Sequence, residues 1–109
     1  VRISELSDKT GLKEILFCAD HDIIHGYVGD LLSIVMRSAK ADSIWFTVQS
    51  HVNIVAVAAI TGVKAIVLCE GLEFDNETIE KAREEGINLY VSSESSYIAA
   101  GKVYELGIR

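Results

Sequence analysis

The sequence predicts a three-layer α/β/α fold, with helices on both faces of a mostly parallel sheet of about five strands. Two observations carry this. From Asp42 onward one strand-helix unit recurs three times, and its strands read as unbroken apolar runs, the pattern of a parallel sheet buried on both faces. The 109 residues, half of them hydrophobic, suffice for one core and are too few for two. Residues 1–109 are therefore expected to form a single domain.

The elements follow in order. Ile3 and Leu6 among polar neighbours, ended by Gly11, predict a short helix over 3–10. Residues 12–19 turn apolar around Ile15, Leu16, Phe17 and Cys18, which predicts a buried strand. Residues 20–29 are turn-rich, and β-branched Ile23 and Ile24 predict a second strand leading to a Gly-containing loop. Asp30 is then expected to cap a helix whose apolar face is Leu31, Leu32, Val35, Met36 and Ala39. The repeats are strand 43–48 with helix 51–60, strand 65–68 with helix 75–85, and strand 88–91 with helix 95–106. Each crossover is expected to be right-handed. The helix at 52–60 is apolar nearly all round, predicting a central, buried position, whereas 77–85 is charged at most positions and belongs at the surface.

Composition narrows the function. A net charge of −6 with scattered basic residues argues against nucleic acid, whose phosphates need clustered Lys and Arg. No apolar run approaches the roughly 18 residues of a membrane span. Cys18 and Cys69 lie in apolar strand-like runs without metal-site spacing, so core thiols and a reducing, cytoplasmic location are expected. There is no basic-then-apolar leader, and the start at Val1 points to a processed terminus or a piece of a longer protein.

In open parallel sheets, ligands bind beyond the carboxyl ends of the strands, where helix N-termini present unpaired N–H groups suited to phosphate or carboxylate. That edge collects residues 26–30, 49–53, 70–76 and 92–96. Ser50, Asp75 and Ser93 or Ser95 are N-cap types, and capping accounts for Asp75 and the serine cluster. Gln49, His51 and Asn53 offer more donors and acceptors than a helix start requires. The expected ligand set is therefore Gln49, His51 and Asn53, joined by Gly26, Asp30 and Ser93. His21 and His25 would share a strand face and, with Asp20, Asp22 and His51, compose an oxygen/nitrogen metal set; solvated histidines are the simpler reading. No metal or other cofactor is expected. His51 could act as a base, yet no nucleophile elbow or phosphate-binding loop accompanies it, and residues 25–30 lack the third Gly of a dinucleotide fingerprint. An enzyme is not expected.

Asp-His-Asp-Ile-Ile-His-Gly-Tyr-Val-Gly-Asp-Leu-Leu-Ser-Ile-Val-Met at 20–36 and Trp-Phe-Thr-Val-Gln-Ser-His-Val-Asn-Ile-Val-Ala-Val-Ala at 45–58 resemble the DRTGG domain family. The likeness spans nearly the whole chain, and the second stretch is the more specific. In the eponymous motif Asp20 stands at its Asp and Gly26 at its final Gly, while His21 replaces the Arg, Ile24 the Thr and His25 the first Gly. The Gly-Asp-Leu-Leu-Ser of 29–33 fits the family better. The resemblance implies a small α/β regulatory module with a fold like the N-terminal domain of HPr kinase/phosphorylase. Such modules stand alone or are fused to CBS-domain pyrophosphatases and phosphotransacetylases. Kinase chemistry is not implied, because the phosphate-binding loop of those kinases lies in a separate domain. The expectation is a non-enzymatic regulatory or sensor domain, a homodimer that binds a small anionic metabolite or nucleotide at the carboxyl edge. The alternative is a protein-interaction module with an unidentified partner and no ligand of its own.

Overall fold

A computed structural model describes residues 1–109. Four strands run parallel, β2 (His25–Val28), β3 (Ser43–Thr47), β4 (Ala65–Leu68) and β5 (Asn88–Val91), and β1 (Lys13–Leu16) adds antiparallel to β5. The order across the sheet is β1-β5-β4-β3-β2. Because the parallel strands step the same way each time, crossovers of one hand deposit α2 (Leu32–Ser38), α3 (Asn53–Thr61) and α4 (Asn76–Glu85) side by side on one face. A 3-10 turn (Ile3–Glu5), α1 (Leu6–Thr10) and α5 (Ser96–Tyr104) cover the other. The expected three-layer, mostly parallel fold is the one observed.

The period of two along each strand divides the core. Trp45, Ile66 and Leu89 pack under α2, α3 and α4 with Val35, Ile54, Val55 and Ala58. Ile44, Phe46, Val67 and Tyr90 face Leu6, Ala99 and Val103 from α1 and α5. Both strand faces are buried, which is why the runs read as unbroken.

Several expectations need correction. β1 is an edge strand rather than a buried one: Lys13 and Glu14 are exposed and only Leu16 is buried, since it has a neighbour on one side alone. The second strand begins at His25, not at Ile23 and Ile24. Those two cross the amino edge, donating their N–H groups to Val1 O and Asp42 O at 2.7 and 3.1 Å. Asp30 does not cap α2, whose cap position is Leu31 with no side-chain bond. On α2 only Val35 is buried completely, while Leu31 and Met36 are exposed because α2 closes the rim of its layer. Helix α3 buries Ile54, Val55, Val57 and Ala58 but leaves Ala56, Ala59 and Ile60 exposed, Ile60 by 71%. It is central within its layer, yet that layer is outermost. Helix α4 is wet as expected, burying Thr78 and Ala82.

The chain must pass from β1 at one rim to β2 at the other beneath the amino edge. Asn88, fully buried at the start of β5, holds it there. Its Nδ2 donates to Lys64 O at 2.9 Å and Ala19 O at 3.1 Å, and its Oδ1 accepts from Cys18 N at 2.7 Å and Ala19 N at 3.3 Å. On the opposite face the Tyr90 hydroxyl donates to Ile3 O at 3.2 Å, anchoring the N-terminal turn. Burial, with Glu14 and Asp20 nearby, pushes that hydroxyl up to about 12.

Asn88→Ala strands buried N–H and C=O groups and is expected to cost about 3 kcal/mol, read as a lower urea midpoint at unchanged slope. Since the folded Tyr90 holds its proton longer than the unfolded one, its contribution is complete below the ordinary tyrosine value and lost as pH rises through about 12. Tyrosine absorbance should therefore keep rising to about pH 12, and the last step should vanish in Tyr90→Phe.

Candidate functional site at the carboxyl edge

The loops that follow β2, β3, β4 and β5 meet at the carboxyl edge, and hydrogen bonds between them set its shape. Trp45, buried in β3, donates its indole N–H to Gly29 O at 2.9 Å. Asp30 Oδ1 accepts from the Thr47 hydroxyl at 2.9 Å and from Val48 N at 2.8 Å, and Thr47 Oγ1 accepts in turn from Gln49 N at 3.1 Å. Asp30 thus ties the β2–α2 loop to the end of β3 instead of capping its own helix. Farther along, Glu70 N and Gly71 N donate to Glu94 O and Ser92 O at 2.9 and 3.0 Å, joining the β4–α4 and β5–α5 loops.

The start of α3 differs from the expectation at Ser50. Its first helical residue is Asn53, so a capping side chain would have to stand at Val52, and Ser50 comes too early. His51 supplies the bond instead, its Nδ1 accepting from Asn53 N at 3.1 Å. An imidazole that accepts at Nδ1 carries its proton at Nε2 when neutral. The exposed His51 ring is thereby a donor toward solvent. Gln49 and Asn53 are also exposed, and neither side chain hydrogen-bonds within the chain. The Ser50 carbonyl accepts from the Thr78 hydroxyl at 3.4 Å, so α3 and α4 begin side by side.

Asp75 caps α4 as expected, accepting from Thr78 N at 2.8 Å. Hydrogen bonding from Thr78 holds the Asp75 carboxyl below its ordinary value, with neighbouring His51 adding to it. Of the serines, Ser95 caps α5 through Ile98 N at 3.3 Å and Ser92 accepts from Glu94 N at 3.1 Å. Ser93 lines a separate shallow hollow of about 290 Å³ with Lys13, Gly71 and Glu73.

The six residues predicted for a site do not all converge. Gln49, His51 and Asn53 stand together at the start of α3, and Asp30 joins them through Thr47 and Val48. Ser93 lies on the loop after β5. Gly26 sits within β2 facing α5, where an added Cβ would come 3.8 Å from methyls of Ile108 and Ile44. Nowhere do three His, Cys, Asp or Glu side chains gather as a metal set. Asp20, a member of the set considered, accepts instead from Ser4 N at 3.0 Å, Ser4 Oγ at 2.9 Å and Arg2 Nε at 3.3 Å. Cys18 and Cys69 are free thiols, and burial raises both above the ordinary thiol value.

Sequence reasoning missed the largest hollow, about 720 Å³, formed by the outer side of α5 and Val28 of β2. Its signal was present as Tyr97, Gly101 and Tyr104, spaced i, i+4, i+7 on one helix face. Beside it the Arg109 guanidinium lies 3.8 Å from the centre of the Tyr104 ring.

No family model matches the chain, and no curated protein matches it either. A solved structure does, that of the CBS and DRTGG domains of the regulatory region of Clostridium perfringens pyrophosphatase, complexed with the activator diadenosine tetraphosphate. The TM-score is 0.69 at 13% identity, over 93% of this chain and 45% of that one. The two share a fold. The chain spans about half the length of the structure it matches, and the likeness agrees with the fold expected from residues 20–36 and 45–58. No helix is long and apolar enough to cross a membrane.

The Asp75 carboxyl, lowered by folding, contributes stability that is complete above the ordinary carboxylate value and is lost as pH falls through its folded value. Asp75→Asn should therefore flatten the acid limb of thermal stability against pH while leaving its slope near neutrality unchanged.

Proposed function

We propose that this chain is a non-enzymatic regulatory module, dimeric and cytoplasmic, which takes a small anionic metabolite or nucleotide at the α3 end of its carboxyl edge. The observation that carries this reading is the set of unused groups there. The Gln49 and Asn53 amides have no partner in the chain, and His51 is held with its free donor outward. Together they offer three side-chain donors beside a helix N-terminus, a favourable surrounding for phosphate or carboxylate oxygens. Carboxylates nearby do not repel such a ligand fully. Asp30 and Asp75 accept from protein N–H and hydroxyl groups, and Glu94 pairs with Lys102. The similar regulatory region was solved with a nucleotide activator, which supports the ligand class.

A second reading, an interaction module with no ligand, is supported by one specific observation: the exposed apolar face of α5. The two readings are compatible if the partner is a second copy.

Isothermal titration against nucleotides and phosphorylated or carboxylated metabolites tests the ligand reading. Binding is expected to weaken by about tenfold or more in each of Gln49→Ala, His51→Ala and Asn53→Ala, the loss typical of a hydrogen bond to a charged group. Absence of binding across the panel, or binding indifferent to all three substitutions, would overturn it.

A further inference from the structure

The two edge strands of the sheet are not alike. β1 bears Lys13 and Glu14 and is broken by a bulge between Glu14 and Leu16, devices that keep an edge from pairing with another chain. β2 has neither: His25–Val28 holds no Lys, Arg, Asp, Glu or Pro and keeps an unbroken register with β3. His25 N and Gly29 N donate to Asp42 O and Phe46 O, so the alternation along the strand turns the N–H and C=O groups of Gly26 and Val28 away from β3. Both residues are exposed. Nor does the fold require glycine at 26, where an added Cβ would make only ordinary contacts, the nearest at 3.8 Å. A glycine inside a strand weakens it and often marks close approach by another backbone.

We propose that β2 pairs with β2 of a second copy, antiparallel about a twofold axis at Tyr27 and normal to the sheet, so that the two sheets become one. The inference rests on the dimeric reading above and locates its interface. The open edge itself selects the occupant. In this register Gly26 of each copy faces Val28 of the other, and every outward N–H and C=O of both strands is bonded. Helix spacing agrees. Because α5 rides over β2 and β3, about one strand spacing from the axis, its two copies lie two spacings apart, ~9.6 Å, within the range at which helices pack. The hollow between Val28 and the outer side of α5 lies in that gap. The apolar area is sufficient. Val28, Leu31, Met36, Tyr97, Ile98 and Tyr104, six of the eleven exposed large hydrophobic residues, all belong to β2, to α5 or to α2 and its cap position directly after β2. At roughly 100–150 Å² exposed on each they offer about 600–900 Å², matching the ~800 Å² per partner of a stable interface.

Sedimentation equilibrium and amide hydrogen exchange of the full chain test the proposal. Wild type should be dimeric. Its Gly26 and Val28 amides, open to water in a monomer, should slow at least tenfold as concentration carries the chain through its dimer transition, while those of His25 and Gly29 change far less. Val28→Pro removes an outward N–H and none that β3 uses. It should raise the dimer dissociation constant about a hundredfold, two hydrogen bonds at roughly tenfold each, with unchanged far-ultraviolet circular dichroism. Ile60→Asp, exposed on α3, should leave the dimer intact. If Val28→Pro fails to fold, the exchange of the two wild-type amides decides alone. A wild type that stays monomeric overturns both the interface and the dimeric reading. A dimer whose Gly26 and Val28 amides exchange as fast as in the monomer, or one that survives a folded Val28→Pro, overturns this interface and leaves the dimeric reading standing.

Discussion

The architecture hangs on one buried amide. With β1 at one rim of the sheet and β2 at the other, the segment between them has to run the width of the amino edge without joining the ladder. Backbone groups taken from water in that way must find partners. Asn88 provides them, its two N–H groups and its carbonyl serving four bonds to Lys64, Cys18 and Ala19. No apolar residue of similar volume could do this, and a carboxylate would lose the two donors. The strand that begins at Asn88 also carries Tyr90, whose hydroxyl secures Ile3 on the opposite face. One four-residue strand therefore fastens both the crossing and the N-terminal turn.

The carboxyl edge is held by a comparable set of bonds, and their effect is to fix loops rather than helix ends. The linkage of Asp30 to Thr47 and Val48, and of Thr47 to Gln49, sets the path of the chain into α3. His51 then spends its Nδ1 on the first N–H of that helix. The backbone beneath the free Gln49 and Asn53 amides is thereby fixed, so a ligand of the proposed kind would meet little ordering cost there.

The two helical layers are unequal. Three helices lie side by side above β2 to β5, whereas α5 shares the other face with one short helix and the N-terminal turn. Apolar surface is left uncovered on the thinner side around Val28, Tyr97 and Tyr104, where the sheet ends at β2. An open rim and a bare helix face in the same place are a larger apolar exposure than isolated surface hydrophobes require.

Some of this was readable along the chain. The strands at 65–68 and 88–91 and the α4 cap at Asp75 were legible because each depends on neighbours in sequence: a continuous apolar run, a Gly stop, a carboxylate one residue before a helix. The fold class followed from their repetition. Tertiary structure alone decided the rest. Whether Asp30 would cap α2 or reach Thr47, and whether Ser50 or His51 would meet the first N–H of α3, turned on the relative placement of β2, β3 and α3. The buried role of Asn88 depended on residues about seventy positions away in sequence, near which no local pattern points. Local periodicity determined which residues seek the interior, but only the packing of layers determined how much interior there was, and so left Ile60, Tyr97 and Tyr104 outside it.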